Sequence, residues 1–240
     1  MKSQHSTLLA VAAVCALLSV VTTIGIHGFI TGPSTFEESL VMYRTPYYIF
    51  TKWWVILHCL FVVVAIYGVY TCVLHSAFSR LGLLFYAAFA LTEVFRMLLV
   101  LHYLGVLRDR YLGADSHTQE IIRLDLDAFA GISQTMFVGF TLFILLGNLF
   151  TGIAALTGVG IMRYVGYGLL IWACVLVLSL INVYIESAVL DSGIHYFSLS
   201  IQPAIRLLIA FALYKAYRDV QQPLCNPITA QSNLIHKTTI

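Results

Sequence analysis

The chain has 240 residues, of which 60% are hydrophobic and 10% charged, with a formal net charge of +2 and a mean hydropathy of +0.90. A soluble domain carries about 25% charged residues, so this composition excludes a soluble enzyme, a disordered chain and a nucleic-acid binder. It describes an integral membrane protein of several spans.

A helix crossing the hydrocarbon core needs about 20 mostly apolar residues, because the core is about 30 Å thick and a helix rises 1.5 Å per residue. Six stretches qualify: Leu8–Ile30, Trp53–His75, Leu81–Gly105, Ala128–Leu156, Arg163–Ser187 and Tyr196–Arg218. They are continuous apolar runs and lack the ten-residue alternation of a barrel. They predict an all-α fold, a polytopic membrane helix bundle of six transmembrane helices over residues 1–218. Residues 219–240, with Pro223, Pro227 and small polar residues, predict a disordered cytoplasmic tail. The first stretch exceeds the 7–15 residues of a signal-peptide core and no small-x-small cleavage site follows it, so it reads as an uncleaved helix.

The segment Thr31–Lys52 opens with a Gly32-Pro33 break. Ser34 or Thr35 can cap a short helix with Glu37 and Glu38 in its first turn, where the helix dipole favours acid. Tyr43, Tyr47, Tyr48, Trp53 and Trp54 then form an interfacial aromatic belt, and the short helix reads as lying in the headgroups. The second such segment, Val106–Asp127, contains Ser116-His117-Thr118-Gln119, a capping-box pattern that starts the fourth helix near Ser116.

Lys and Arg gather in cytoplasmic loops. With the N-terminus inside, Lys2, Arg80, Arg163, Lys215, Arg218 and Lys237 fall inside, and Arg44, Lys52, Arg108, Arg110 and Arg123 outside. The acidic residues fall almost all outside, which supports cytoplasmic termini. Cys15, Cys59, Cys72 and Cys174 lie in spans and Cys225 in the tail, so no external disulfide framework is expected.

Three charged residues stand inside spans away from the helix ends, at depths where a charge costs about 2.5–3.5 kcal/mol on insertion scales and needs a partner. They are Glu93, Arg96 and Arg206. Glu93 and Arg206 have matching depths, which predicts a Glu93–Arg206 pair, with Arg96 one turn outward on the face of Glu93. A polar layer in the outer half of the bilayer gathers His58, Arg96, Gln134, Asn182 and Gln202, with Glu186 and His195 above it. The candidate ligand-binding set is thus Glu93, Arg96, Arg206, His58, Gln134, Asn182, Gln202 and Glu186. The amides have a structural reading too, since facing Asn and Gln tie bundles together at about 0.6 kcal/mol each. No HxxxH or HExxH spacing occurs, and neither a metal site nor another cofactor is expected. Gly139, Gly147 and Gly152 beside Asn148 read as close helix packing.

From Phe89 to Trp172 the chain has Leu91-Thr92-Glu93, a Tyr111-Leu112 loop, the run Phe137 to Asn148, and Gly158-Val159-Gly160-Ile161-Met162-Arg163-Tyr164-Val165-Gly166. This third of the chain resembles a group of bacterial six-helix membrane proteins catalogued as a domain of unknown function. The resemblance implies six helices and a bacterial inner membrane, and no activity. Arg96 and the length of the second outer loop depart from that pattern.

Three functions follow as expectations. One is a protein that binds or transports a small molecule or ion, anionic or amphipathic, in a polar cavity near the outer leaflet. The second is a structural or accessory subunit in which an ion pair fixes packing. The third is a membrane-embedded enzyme using His58 and Glu186, with or without a metal. The lipid bilayer is the one partner common to all three.

Overall fold

The computed structural model describes residues 2–28, 33, 35–73 and 76–225. Ile30, Thr31, Gly32, Ser34, His75 and the segment from 226 onward, including Pro227 and Lys237, lie outside the described residues. The helices are α1 (Lys2–Gly28), α2 (Phe36–Met42), α3 (Pro46–Cys72), α4 (Ala77–Leu98), α5 (Leu104–Gly113), α6 (Ser116–Leu156), α7 (Ile161–Ile185) and α8 (Ala188–Cys225). A π turn, Leu99–Tyr103, joins α4 to α5. No described residue is in a strand.

Six helical segments are long and apolar enough to span a membrane: Gln4–Gly28, Pro46–Cys72, Ala77–Gly113, Ser116–Leu156, Ile161–Ile185 and Ala188–Gln221. The fold is therefore an all-α bundle of six candidate spans. Each span packs on the next in chain order, and α8 packs on α1, so the six close a ring. Short connections between antiparallel neighbours dictate this arrangement.

The helix starts are written locally. Thr35 accepts from the Glu38 N–H at 3.1 Å, Thr45 from Tyr48 at 3.2 Å and Ser76 from Ser79 at 3.2 Å. Pro46 follows Thr45 at the first helical position, where its fixed φ is already helical. The start at Ser116 agrees with the capping pattern, but the cap is Asp115, whose carboxylate accepts from the Thr118 N–H at 2.8 Å. Gln119 instead reaches back to the Tyr111 and Ala114 carbonyls, at 3.1 and 3.2 Å, and fastens the turn between α5 and α6. Gly160 precedes α7 at φ +61°, a conformation that a side chain would strain.

Beside α8, which runs 38 residues to Cys225, two helical segments outrun the bilayer. Ala77–Gly113 has 37 residues and Ser116–Leu156 has 41, or about 55 and 60 Å at 1.5 Å per residue. The surplus is a charged hairpin made of α5 and the start of α6, so most of Val106–Asp127 is helical. Its seam is a small apolar core of Tyr48, Val100, Leu104, Leu107, Ile122 and Phe129, separate from the core between the spans. On its flank, Tyr43 and Arg44 both hydrogen-bond Asp109, and Phe36 of α2 meets Tyr111 edge-on at 5.3 Å.

Glycine sets the closest helix approaches. A Cβ on Gly166 would stand 2.9 Å from the Gly152 carbonyl oxygen, so α6 and α7 touch backbone to backbone there. Gly147 admits the Tyr86 ring, whose hydroxyl donates to buried Asn148. Gly139, expected in the same role, has no neighbour where a Cβ would be.

Candidate functional site

The ring encloses a chamber of ≈ 310 Å³, displaced toward the end of the bundle that carries α2. Apolar side chains, among them the rings of Phe89, Phe140, Trp172 and Phe197, make most of its wall. Its polar residues include His58 from α3, Glu93 and Arg96 from α4, and Gln202 and Arg206 from α8. Gln202 and Arg206 are four residues apart on one helix face, which brings both to the same wall.

Arg206 is only 3% exposed. Its Nη2 donates to His58 Nε2 at 3.2 Å, and its guanidinium carbon lies 4.9 Å from the centre of the Trp172 ring. Among the described residues its Nε has no hydrogen-bond partner. Beneath it lies a void of ≈ 10 Å³, at the lower limit for a single water. Arginine can only donate, so His58 Nε2 is an acceptor and the ring is the neutral Nδ1–H tautomer. Nδ1 then donates to Thr22 Oγ1 at 2.7 Å, and Thr22 passes its own proton to the Leu18 carbonyl at 3.0 Å. The chain of donors runs from α8 through α3 to α1 and ends on backbone.

The expected Glu93–Arg206 pair is not formed. Both residues line the chamber, but Glu93 takes Arg96, whose Nε and Nη2 meet its two oxygens at 2.7 and 2.6 Å. The reason is local. Residues three apart on a helix are neighbours before any tertiary contact exists, and a bidentate guanidinium–carboxylate fork uses both oxygens. Among the described residues Arg206 has no carboxylate within salt-bridge distance.

Of the remaining candidates, the structure sets three apart from the chamber. Gln134 is exposed on α6, and it is the adjacent Ser133 whose Oγ lies 3.4 Å from Arg96 Nη1. Asp127, Gln134, Thr141 and Asn148 recur every seven residues along α6; such a stripe drifts about 20° per step on a helix of 3.6 residues per turn, and it rolls from surface at its start to core at Thr141 and Asn148. Asn182 is buried but committed to the α7–α8 corner. Its Oδ1 accepts the Ser187 N–H at 2.9 Å and its Nδ2 donates to Asp191 at 2.5 Å. Glu186 is exposed at that corner, in the left-handed conformation at φ +51°. His58 and Glu186, the pair behind the enzyme reading, are therefore not brought together. Among the described residues no group of three or more His, Cys, Asp or Glu side chains could hold a metal ion.

A second cavity, ≈ 390 Å³, lies outward of the chamber between α3, the α4–α5 helix and α6, under Phe36 and Ser39 of α2. Lys52, Arg96 and Arg108 line it, against one carboxylate, Asp127. Arg108 stacks on the rings of Tyr43 and Tyr48 at 5.6 and 5.9 Å, and its buried Nε also lacks a partner. Lys52 stands 4.6 Å over the Tyr48 ring. Lys52 and Arg108 were counted as loop charges in the sequence, so their role here had no signal there. Trp172 and Thr22 likewise carry nothing in their spacing that distinguishes them from ordinary span residues.

No protein-family model, curated protein or solved structure matches the chain. Its class rests on the fold, an integral membrane protein with six helices long and apolar enough to cross the bilayer.

Proposed function

We propose that the protein binds a small organic anion with an apolar body, held in the chamber with its anionic group on Arg206. The observation behind this reading is Arg206 itself. A guanidinium buried to this degree is ordinarily paired, yet its one hydrogen-bond partner is a neutral imidazole and its Nε is unfilled. An anion in the chamber would neutralise the charge. The apolar walls would take the apolar body, and a volume of ≈ 310 Å³ lies at the small end of ligand sites, about 300–1,000 Å³.

We also take both termini to be cytoplasmic and the membrane to be a bacterial inner membrane, in line with the resemblance between Phe89 and Trp172. The near absence of acidic residues on the inner side supports the same orientation.

Trp172 reports on the site. In purified protein with Trp53 and Trp54 replaced by Phe, octanoate is expected to quench Trp172 fluorescence saturably, while octanol at the same concentration does not. Arg206→Gln is expected to weaken octanoate binding by about tenfold or more, the loss of one charge-assisted contact. Equal responses to octanoate and octanol, or unchanged octanoate affinity in Arg206→Gln, would refute the reading.

A further inference from the structure

The two cavities share a wall, and Arg96 and Val55 line both. Arg96 spans the boundary. Two of its nitrogens hold Glu93 on the chamber side, and Nη1 points toward Ser133 of the outer cavity at a long 3.4 Å. Its side chain is 20% exposed, against 6% for Glu93. Each cavity holds, besides Arg96, an arginine whose buried Nε has no partner among the described residues: Arg108 outside and Arg206 inside.

The π turn aligns this series. Arg96 and Arg108 are twelve residues apart, which at 100° per residue puts them about 120° apart around an α-helix. A π turn winds in one extra residue. That leaves eleven effective steps, so Arg108 returns to within about 20° of the face of Arg96. Val100 and Leu104, between them, line the same cavity.

We infer that the outer cavity is an anion vestibule serving the chamber, and that the Glu93–Arg96 pair is the gate between them. The inference rests on the proposed anion site at Arg206. An anion is gathered by Lys52 and Arg108 and meets Arg96 from its exposed edge. Guanidinium has five N–H donors, so Arg96 can release one oxygen of Glu93 and take one from the anion without either buried charge losing all its partners. A cation meets three like charges, Lys52, Arg96 and Arg108, in the outer cavity before it can reach Glu93. Once past it, the anion reaches Arg206.

Cys59 lines the chamber and is 1% exposed, so it reports arrival. The test uses the full chain in liposomes with Cys15, Cys72, Cys174 and Cys225 replaced by Ala. Modification of Cys59 is followed with an anionic methanethiosulfonate (2-sulfonatoethyl) and a cationic one (2-trimethylammonioethyl). The anionic reagent is expected to react about tenfold faster, a steering effect of ordinary size. Lys52→Gln with Arg108→Gln is expected to erase that preference, and Glu93→Gln to speed the anionic reagent severalfold. Equal rates for the two reagents overturn the inference. So does a preference untouched by all three substitutions, or no anionic modification even in Glu93→Gln. The vestibule substitutions lie outside the bundle core, so they keep the test alive where Glu93→Gln does not fold. Octanoate binding with no charge preference at Cys59 refutes the path alone. A charge preference without octanoate binding refutes the chamber ligand alone.

Discussion

His58 shows how much a single side chain decides here. As the neutral Nδ1–H tautomer it accepts from Arg206 and donates to Thr22. A phenylalanine would fill its volume and give Arg206 nothing. His58→Phe is expected to cost about 1–3 kcal/mol, the penalty for stranding a buried donor. Thr22→Val removes a weaker tie and is expected to cost about 0.6 kcal/mol, typical of hydrogen bonds between membrane helices. Denaturant titration in detergent measures both, and equal losses would show that His58 does not hold Arg206. The depths of Glu93, Arg206, His58 and Gln202 are legible in the sequence, because apolar surroundings make each polar residue conspicuous. Their partners are not. Matching depth cannot say that α4 and α8 face each other across a cavity, or that Arg96 satisfies Glu93 first. Asn182 and Glu186 sit near the right depth too, but the chain turns a corner there and uses them to make the turn.

At the scale of the helix, termini carry the information. Asp115 starts α6 with a carboxylate that accepts the Thr118 N–H, and this bond holds its pKa below the usual carboxylate range. A group with a depressed folded pKa lends stability above its unfolded value, about 3.9 for Asp, and loses it as pH falls through the folded value. Protection of the Thr118 amide from hydrogen exchange should therefore fall as pH drops from about 5 to about 2. Asp115→Asn, which caps without titrating, should keep constant protection over that range, and parallel loss in both proteins would exclude the cap as the cause. The sequence locates this start from its polar pattern. It does not reveal that Val106–Gly113 is helix as well, since hydropathy detects helices by what they bury in lipid and the hairpin leaves the lipid. Nor does it reveal the π turn, whose residues Leu99–Tyr103 are ordinary helix formers in an apolar run.

The whole molecule is a ring of spans with an off-centre hollow and a charged hairpin rising from one face. That asymmetry makes orientation measurable. In a chain freed of native cysteines, Glu120→Cys on the hairpin should react with a membrane-impermeant maleimide in intact cells. Thr157→Cys, exposed in the turn between α6 and α7, should react only after permeabilisation. The reverse pattern would place the vestibule on the cytoplasmic side.

The seating of α1 against α8 has a consequence for biosynthesis. The ring cannot close until α8 has been made, so α1 waits in the bilayer with its future contact face uncovered. Several hydroxyls on that helix have already found acceptors on it: Ser19 donates to the Ala16 carbonyl at 2.7 Å and Thr23 to the Ser19 carbonyl at 2.7 Å. Hydrocarbon offers no hydrogen bonds, and these groups ask for none. Arg206 asks for a great deal, and it is translated after its neighbours His58 and Trp172. The order of synthesis thus inserts the tolerant polar groups first and delivers Arg206, a buried cation without a carboxylate among the described residues, after its neighbours are in the bilayer.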